Sequence, residues 1–516
     1  MRLTRLLLTI VLLFVATAPA SAREYTADAI LRNHAEAMGG LEKLRTLKTF
    51  HATGTVSGMD LYGTFESWVQ SPNMSYSRLD LDIIKTEEGS DGVHFWTVGL
   101  NGHYREVEGM ERQMLVSAAW QSNFIYLLDP QPDDTIESVG TRTIGDRELV
   151  GLKMKPAGGF AMTLWFNPEN WYIDYVGMRV LGREMLTEFY NVQLVDGWLP
   201  VAMDSRLDTG FMKLELKTTS IELNPPVDPT IFSPPDIIGE GVKWPEGEDS
   251  VTLPLNIDGS HIFVKALVGE KELSFLIDTG AESNYLHKGI GEELGLEEEG
   301  VLEAVGYGGS AGIGFVKIND LSIGGIEIGD QTWASFDLSQ LRRGMPDLDG
   351  ILGYDFIANF VLEIDYDASE VTLYKPGAYS PVGGGEIIDL GFFKKIPTTV
   401  GRLDGVEGIF LLDTGSGNLM DLTRTYAAEH ELMGDSDERA LTMRGMGGDT
   451  RLMLKDMRLL EIGTLKYENP TVGVLLGEGG GLAAIEEVDG NIGSGLFSEY
   501  AKAVFDYGEK KLYLLR

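Results

Sequence analysis

Two apolar strands that each run into Asp-Thr-Gly, 135 residues apart, constrain this chain more than any other feature. Phe275-Leu276-Ile277 leads into Asp278-Thr279-Gly280-Ala281, and Phe410-Leu411-Leu412 leads into Asp413-Thr414-Gly415-Ser416. The flanks repeat as well. "VKALVGEKELSFLIDTGA" and "TVGRLDGVEGIFLLDTGS" each read as strand, turn and second strand. A glycine-rich segment follows each aspartate by about 30 residues, "VGYGGSAGIG" at 305–314 and "RGMGGDT" at 444–450. Each copy then closes on Asp-Gly-x-x-Gly, a short helix-like stretch, a strand, an Asp-Tyr turn and a final strand, over 348–374 and 488–514. A β-rich unit used twice predicts a two-fold pseudosymmetric body with a site where the halves meet.

The chemistry available at such a junction comes from the triplet. Glycine lets the backbone turn tightly and brings its N–H toward a carboxylate. Threonine offers a hydroxyl that can hold two such loops together. Two loops on an axis place Asp278 and Asp413 a few ångströms apart, where both cannot ionise cheaply and a proton is shared. The ionised member activates a water while the protonated member hydrogen-bonds the carbonyl under attack. The pair titrates as a unit, so the sequence assigns no separate acid and base. No metal, cofactor or covalent intermediate is required.

A third triplet, Asp208-Thr209-Gly210, sits in "RLDTGF". It lacks the small residue after glycine and has no apolar-apolar-Gly partner downstream, so it reads as a hairpin turn. The seven histidines show no His-x-x-x-His spacing, which argues against a zinc hydrolase. "GYGGSAGIG" has no Gly-Lys-Ser/Thr companion and does not read as a nucleotide loop.

Residues 255–516 resemble the aspartic peptidases, in particular the bacterial retropepsin-like branch, with both halves in one chain as in pepsin. The marks are apolar-apolar-Asp-Thr-Gly-Ala/Ser and a downstream apolar-apolar-Gly, here Ile351-Leu352-Gly353 and Asn491-Ile492-Gly493. Asn491 departs from the apolar rule. The resemblance implies Asp278 and Asp413 as the catalytic pair, with Thr279 and Thr414 bracing it and Gly280 and Gly415 shaping its loops. It implies Ser416 as a donor to the outer oxygen of Asp413. It also implies one glycine-rich flap per lobe, Gly306-Tyr307-Gly308-Gly309 and Gly445-Met446-Gly447-Gly448, closing over a peptide or protein substrate.

The remainder of the chain is organised differently. Residues 1–22, "MRLTRLLLTIVLLFVATAPASA", read as a secretory signal ending on Ala-Ser-Ala, so the mature chain is expected to begin at Arg23 in the periplasm or outside the cell. Residues 24–46 carry one helical stripe (Ile30, Leu31, Ala35, Met38, Leu41, Leu44) interrupted at Gly39-Gly40. Alternating aromatic and β-branched runs from Phe50 to about Glu222 predict a large antiparallel sheet with a helix laid on it. Six of the eight tryptophans fall there (Trp68, Trp96, Trp120, Trp165, Trp171, Trp198), as core or as the lining of an apolar groove. The six prolines of 224–250 mark an extended connector. "ADAILRNHAEAMGGLEKLRTLKTFHATGTVSG", "DGVHFWTV" and "NPPVDPTIFSPP" resemble periplasmic lipoprotein-carrier domains, which implies a lipid or lipoprotein ligand for this part.

The expected architecture is therefore mainly β: signal (1–22), curved sheet with helix (23–223), linker (224–254) and a pair of acid-protease β-barrel lobes (255–378 and 379–516). A formal charge of −37 argues against nucleic acid and anionic membrane surfaces as partners. The absence of cysteine excludes disulfides and thiolate chemistry. No segment after the signal is apolar enough to be an integral membrane span. The alternative function is a non-catalytic envelope protein that binds lipid, lipoprotein or peptide.

Overall fold

The computed structural model describes residues 25–180, 183–210, 212–235, 241–306, 309–381, 383–432, 440–445, 448–476 and 487–516. The expected signal, 1–22, lies outside them. The chain is mainly β, and its described strands form four sheets of 13, 11, 6 and 10 strands. Among the described residues none of these sheets closes on itself, which corrects the expected barrel pair. The end strands of each lobe sheet, such as Glu299–Gly306 and Val242–Lys243, do not pair with each other. No helix of the described residues is long and apolar enough to cross a membrane.

The 13-stranded sheet runs from Thr49 to Leu223 and is antiparallel throughout, with its first strand Thr49–Gly58 paired to its last, Lys213–Leu223. The helical stripe before it forms helix Ala27–Ala37, then breaks where Gly39 and Gly40 take φ of +92° and +93°, and resumes over Leu41–Leu44. Thr26 caps the first helix by accepting the Ala29 N–H. Ile30, Trp120 and Tyr126 pack on Val150, Leu152 and Phe166 of the sheet. An apolar cavity of ≈ 290 Å³ lies between helices and sheet, lined by residues that include Met38, Leu44, Phe50, Phe124, Tyr126 and Phe189. None of the tryptophans lines it: Trp96, Trp120 and Trp165 are buried in packing clusters instead.

His34 sits at the edge of that cavity, 1% exposed, donating Nδ1–H to the Trp171 carbonyl (2.8 Å) and accepting from the Tyr126 hydroxyl at Nε2 (2.9 Å). Burial pushes its imidazole down to about 4. The unfolded chain therefore takes up this proton first as pH falls. The stabilising effect of neutral His34 is complete above about pH 6.5 and is lost on the way down to about pH 4, a swing of about 3 kcal/mol. Thermal unfolding followed by tryptophan fluorescence is expected to show that loss, and His34→Gln is expected to flatten it.

The proline-rich stretch is anchored rather than free. Asp228 caps the short 3-10 helix Pro229–Phe232. Phe232 is fully buried, and its carbonyl accepts the Trp96 indole N–H (3.0 Å). Farther on, Val242–Lys243 and Ser250–Pro254 enter sheets by pairing with Ile326–Ile328 and Glu370–Tyr374.

The repeat in the sequence is a repeat in topology. In the first copy, Lys271–Ile277 pairs in parallel with Gly350–Leu352, which is antiparallel to Tyr285–His287. Tyr285–His287 in turn pairs in parallel with Gln331–Phe336, which borders the hairpin Glu299–Gly306/Gly309–Ile318. In the second copy, Val406–Asp413, Gly490–Gly493, Met420–Leu422, Thr471–Leu475 and the hairpin Ala440–Gly445/Gly448–Asp456 take the same places in the same senses. The closing strands of both copies merge into one six-stranded sheet through the pair Val361–Asp365 and Lys502–Asp506. One apolar cluster spans the two copies, from Phe275 and Trp333 to Phe410 and Phe505.

Candidate active site

Each Asp-Thr-Gly loop begins where a buried strand ends, and the two loops lock together through their threonines. Thr279 N–H donates to Thr414 Oγ1 and Thr414 N–H to Thr279 Oγ1, both at 3.0 Å. Each hydroxyl then donates across the junction, Thr279 Oγ1 to the Leu412 carbonyl (2.7 Å) and Thr414 Oγ1 to the Ile277 carbonyl (2.8 Å). Both threonines are 0% exposed, so this lattice forms in a low-dielectric interior where its loss would leave buried groups unpaired. It holds the two loops so that each carboxyl lies against the other loop's glycine, Asp413 against Gly280 and Asp278 against Gly415.

The glycines permit that approach. A Cβ on Gly280 would lie 2.4 Å from Asp413 Cγ, and one on Gly415 would lie 2.4 Å from Asp278 Cγ. Each glycine also gives its N–H to its own loop's aspartate, at 2.8 Å in both cases. Gly415→Ala is therefore expected to push the carboxyls apart, to cost about 1–3 kcal/mol through overpacking and to abolish any activity of the pair. Gly383→Ala, where a Cβ meets nothing within 4 Å, is the control. Thermal unfolding beside a peptide-hydrolysis assay checks both.

The two aspartates differ in surroundings. Asp278 is raised well above the usual carboxylate range, first by burial and then by the adjacent Asp413 charge and the hydrogen bond to it. Asp413, 8% exposed, is also raised by burial, but the adjacent Asp278 carboxyl and then three N–H donors oppose the rise. These are Gly415 N and Ser416 N on Oδ1 (2.8 and 3.1 Å) and Asn491 Nδ2 on Oδ2 (3.0 Å). Ser416 thus serves through its backbone. Its hydroxyl, expected to reach the outer oxygen of Asp413, has no hydrogen-bond partner among the described residues. Close by, Asp421 is 1% exposed, and burial raises it to about 6. Asn418 Nδ2 holds both its oxygens at 3.0 and 2.9 Å.

Strand register shows what flanks each aspartate. Residues two apart on a strand share a face, so Leu276 lies on the Asp278 side. Ile351 pairs with Leu276 and Tyr285 pairs with Ile351. All three belong to an apolar cluster whose other members include Val56, Leu61 and Leu214 of the N-terminal sheet and Leu81, Ile83 and Ile84 of the turn between its strands Met74–Asp80 and Lys85–Ser90. That sheet thus covers the face beside Asp278. Val301 N donates to the Met59 carbonyl (3.0 Å) at the base of the first hairpin, and Thr332 Oγ1 donates to the Ile83 carbonyl (3.0 Å). On the Asp413 side the corresponding cluster, with Leu411, Leu452 and Leu475, contains no residue of the N-terminal sheet among the described residues.

Asp355 ties three parts of the molecule at the edge of this site. It is 0% exposed and binds Lys395 Nζ from the second copy (2.7 Å) and Asn101 Nδ2 from the N-terminal sheet (3.1 Å). Its carbonyl accepts from His103 Nε2 (2.9 Å).

Of the expected flap residues, Gly306 pairs with Gly309 and Gly445 with Gly448, closing two-residue hairpin loops. Tyr307, Gly308, Met446 and Gly447 lie outside the described residues. Asp208-Thr209-Gly210 belongs to the N-terminal sheet. It turns the chain between Leu199–Asp208 and Lys213–Leu223, with Gly210 at φ +76° and its N–H on Asp208 Oδ1 (2.9 Å). His287 is partly buried and accepts the Leu338 N–H at Nδ1 (3.1 Å). Sequence reasoning missed Asn491, Asp421 and Asp355 as site-forming residues. The signal that could have found them was a polar residue inside an apolar strand or turn, in "GNIG", "LMDL" and "GYDFI".

Residues 264–356 match a protein family described as aspartyl protease, and this segment carries Asp278, Thr279, Gly280 and the first hairpin. No curated protein matches the chain. Among solved structures, a LolA superfamily protein from Nitrosomonas europaea shares 14% identity at a TM-score of 0.30, covering 41% of this chain and 98% of that one. A DUF1329 family protein from Desulfovibrio piger shares 12% at 0.30, covering 40% and 97%. Basic 7S globulin from soybean shares 9% at 0.32, covering 52% and 95%.

Proposed function

We propose that the chain is an exported aspartic endopeptidase in which Asp278 and Asp413 activate one water for attack on a peptide carbonyl. The observation that carries this reading is the reciprocal threonine lattice, with each carboxyl set against the opposite loop's glycine. The attacking water gives a proton to the ionised carboxylate, and its oxygen bonds to the carbonyl carbon. The protonated carboxyl donates to the carbonyl oxygen, and the amine then leaves with a proton returned from the pair. The hairpins ending at Gly306/Gly309 and Gly445/Gly448 act as flaps over the substrate. Activity needs the singly protonated pair, so its pH profile is bell-shaped, and burial together with carboxylate–carboxylate repulsion raises the upper limb. The test is cleavage of a mixed peptide library by the full mature chain from about pH 3 to 7, with Asp278→Asn and Asp413→Asn beside it. Hydrolysis that survives either substitution, or none from folded wild-type protein, sinks the reading.

A second reading concerns the N-terminal sheet and is favoured by its apolar cavity. A pocket of ≈ 290 Å³ with mostly apolar walls suits an acyl chain or an apolar peptide segment. Mass spectrometry of lipid retained by the purified chain, compared with a Phe50→Asp variant, decides it.

A further inference from the structure

The geometry points to Asn491 as the positioning residue that breaks the symmetry of the aspartate pair, holding Asp413 as the ionised partner and leaving the shared proton on Asp278. This rests on the peptidase reading and adds a division of labour to it. The strands that carry and border the two aspartate loops match between the copies, which makes their difference informative. Leu276 pairs with Ile351 in the first copy, and Leu411 pairs with Asn491 in the second. An apolar side chain beside Asp278 is thus replaced by an amide beside Asp413. Asn491 is 0% exposed, and its Nδ2–H reaches Asp413 Oδ2 at 3.0 Å. A donor to the charged form favours that form, and no such side-chain donor stands at Ile351.

The burial of an amide at this position has a cost, because Asn491 Oδ1 has no partner among the described residues. The residue opposite it in the antiparallel pair is Asp421, whose carboxyl is held by Asn418. Two other titratable groups couple to the pair from the Asp278 side, the phenols of Tyr285 and Tyr507. Both phenols are raised by burial and stay neutral throughout the carboxyl range. Beyond them, Glu282 acts on Tyr285 and is paired with Lys394 (3.0 Å). Of the donors on Asp413, Gly415 and Ser416 give backbone N–H groups, and Asn491 gives the side-chain donor that Asp278 lacks at Ile351.

The test uses the full chain with Asn491→Leu, which restores an apolar residue of similar size. Carbon NMR of protein labelled at the aspartate γ-carbons reads the pair directly, with Asp278 and Asp413 assigned from their Asn variants. In wild type, the signal of Asp413 is expected to titrate below that of Asp278. In Asn491→Leu the Asp413 step is expected to rise by about one pH unit, and the acid limb of kcat/KM to move with it. Asp421→Asn, which keeps Asn491 in place, is expected to leave the order of the two steps intact. An unmoved Asp413 step in folded Asn491→Leu overturns the inference, even if activity falls, since the residue is then only structural. A moved step in a protein that hydrolyses nothing supports the inference and removes the peptidase reading instead.

Discussion

Asp413→Asn in the full chain is expected to lower peptide hydrolysis by at least about 10³-fold, and Asp278→Asn to do the same. An amide cannot take the proton of an attacking water, nor can it give up a shared proton and regain it. Removing either carboxyl therefore removes both halves of the exchange. The double variant is expected to be no worse than either single one, because the two groups act as a unit. Stability should move the other way or not at all. The substitution removes a carboxyl that burial holds above its usual range and keeps an oxygen for the N–H donors of Gly280 or of Gly415 and Ser416. A thermal unfolding curve unchanged within about 1 kcal/mol, beside lost hydrolysis, separates chemistry from folding. A large fall in stability would show that the carboxyls brace the junction rather than act on a substrate.

Asp355→Ala is expected to be the most damaging single change outside the pair, at about 3–5 kcal/mol. Asp355 is fully buried, and the Lys395 ammonium it binds is 16% exposed, so truncation leaves a desolvated charge without its partner. The same change releases Asn101, whose amide also donates to the Thr332 carbonyl (3.1 Å) and whose Oδ1 accepts the Thr332 N–H (2.7 Å). Denaturant unfolding reads the loss of stability. Asn101→Ala is the milder companion: it is expected to loosen the N-terminal sheet from the first copy without exposing Lys395. Hydrogen exchange at Thr332 distinguishes the two effects. If Asp355→Ala costs less than about 1 kcal/mol, the junction is a surface ion pair in effect, and its burial has been compensated elsewhere.

Much of the site could be read from local sequence because its parts are local. An apolar strand ending on Asp-Thr-Gly specifies a buried carrier and a tight turn, and a second copy specifies its mate. The stray triplet at Asp208 was separable for the same reason: beyond Gly210 the chain enters Lys213–Leu223, a strand that pairs straight back, with no apolar-apolar-Gly to flank it. Asn491 shows the limit of such reasoning. In the sequence it is a flaw in an apolar rule, and only its register opposite Leu411 turns it into a donor on Asp413. The barrels failed as an expectation because closure depends on how distant edge strands meet, which no local pattern encodes.

The periodicity and the repeat in this chain were enough to dictate a mainly β body, two equivalent loops and two glycine-tipped hairpins, since those depend on contacts between near neighbours and on symmetry between copies. The covering of Leu276, Tyr285 and Ile351 by Leu81, Ile83 and Ile84, and the convergence of Asn101, His103 and Lys395 on Asp355, were decided only in three dimensions. These groups lie tens to hundreds of residues apart in the chain, so what brings them together is shape and buried charge, which a linear pattern does not carry.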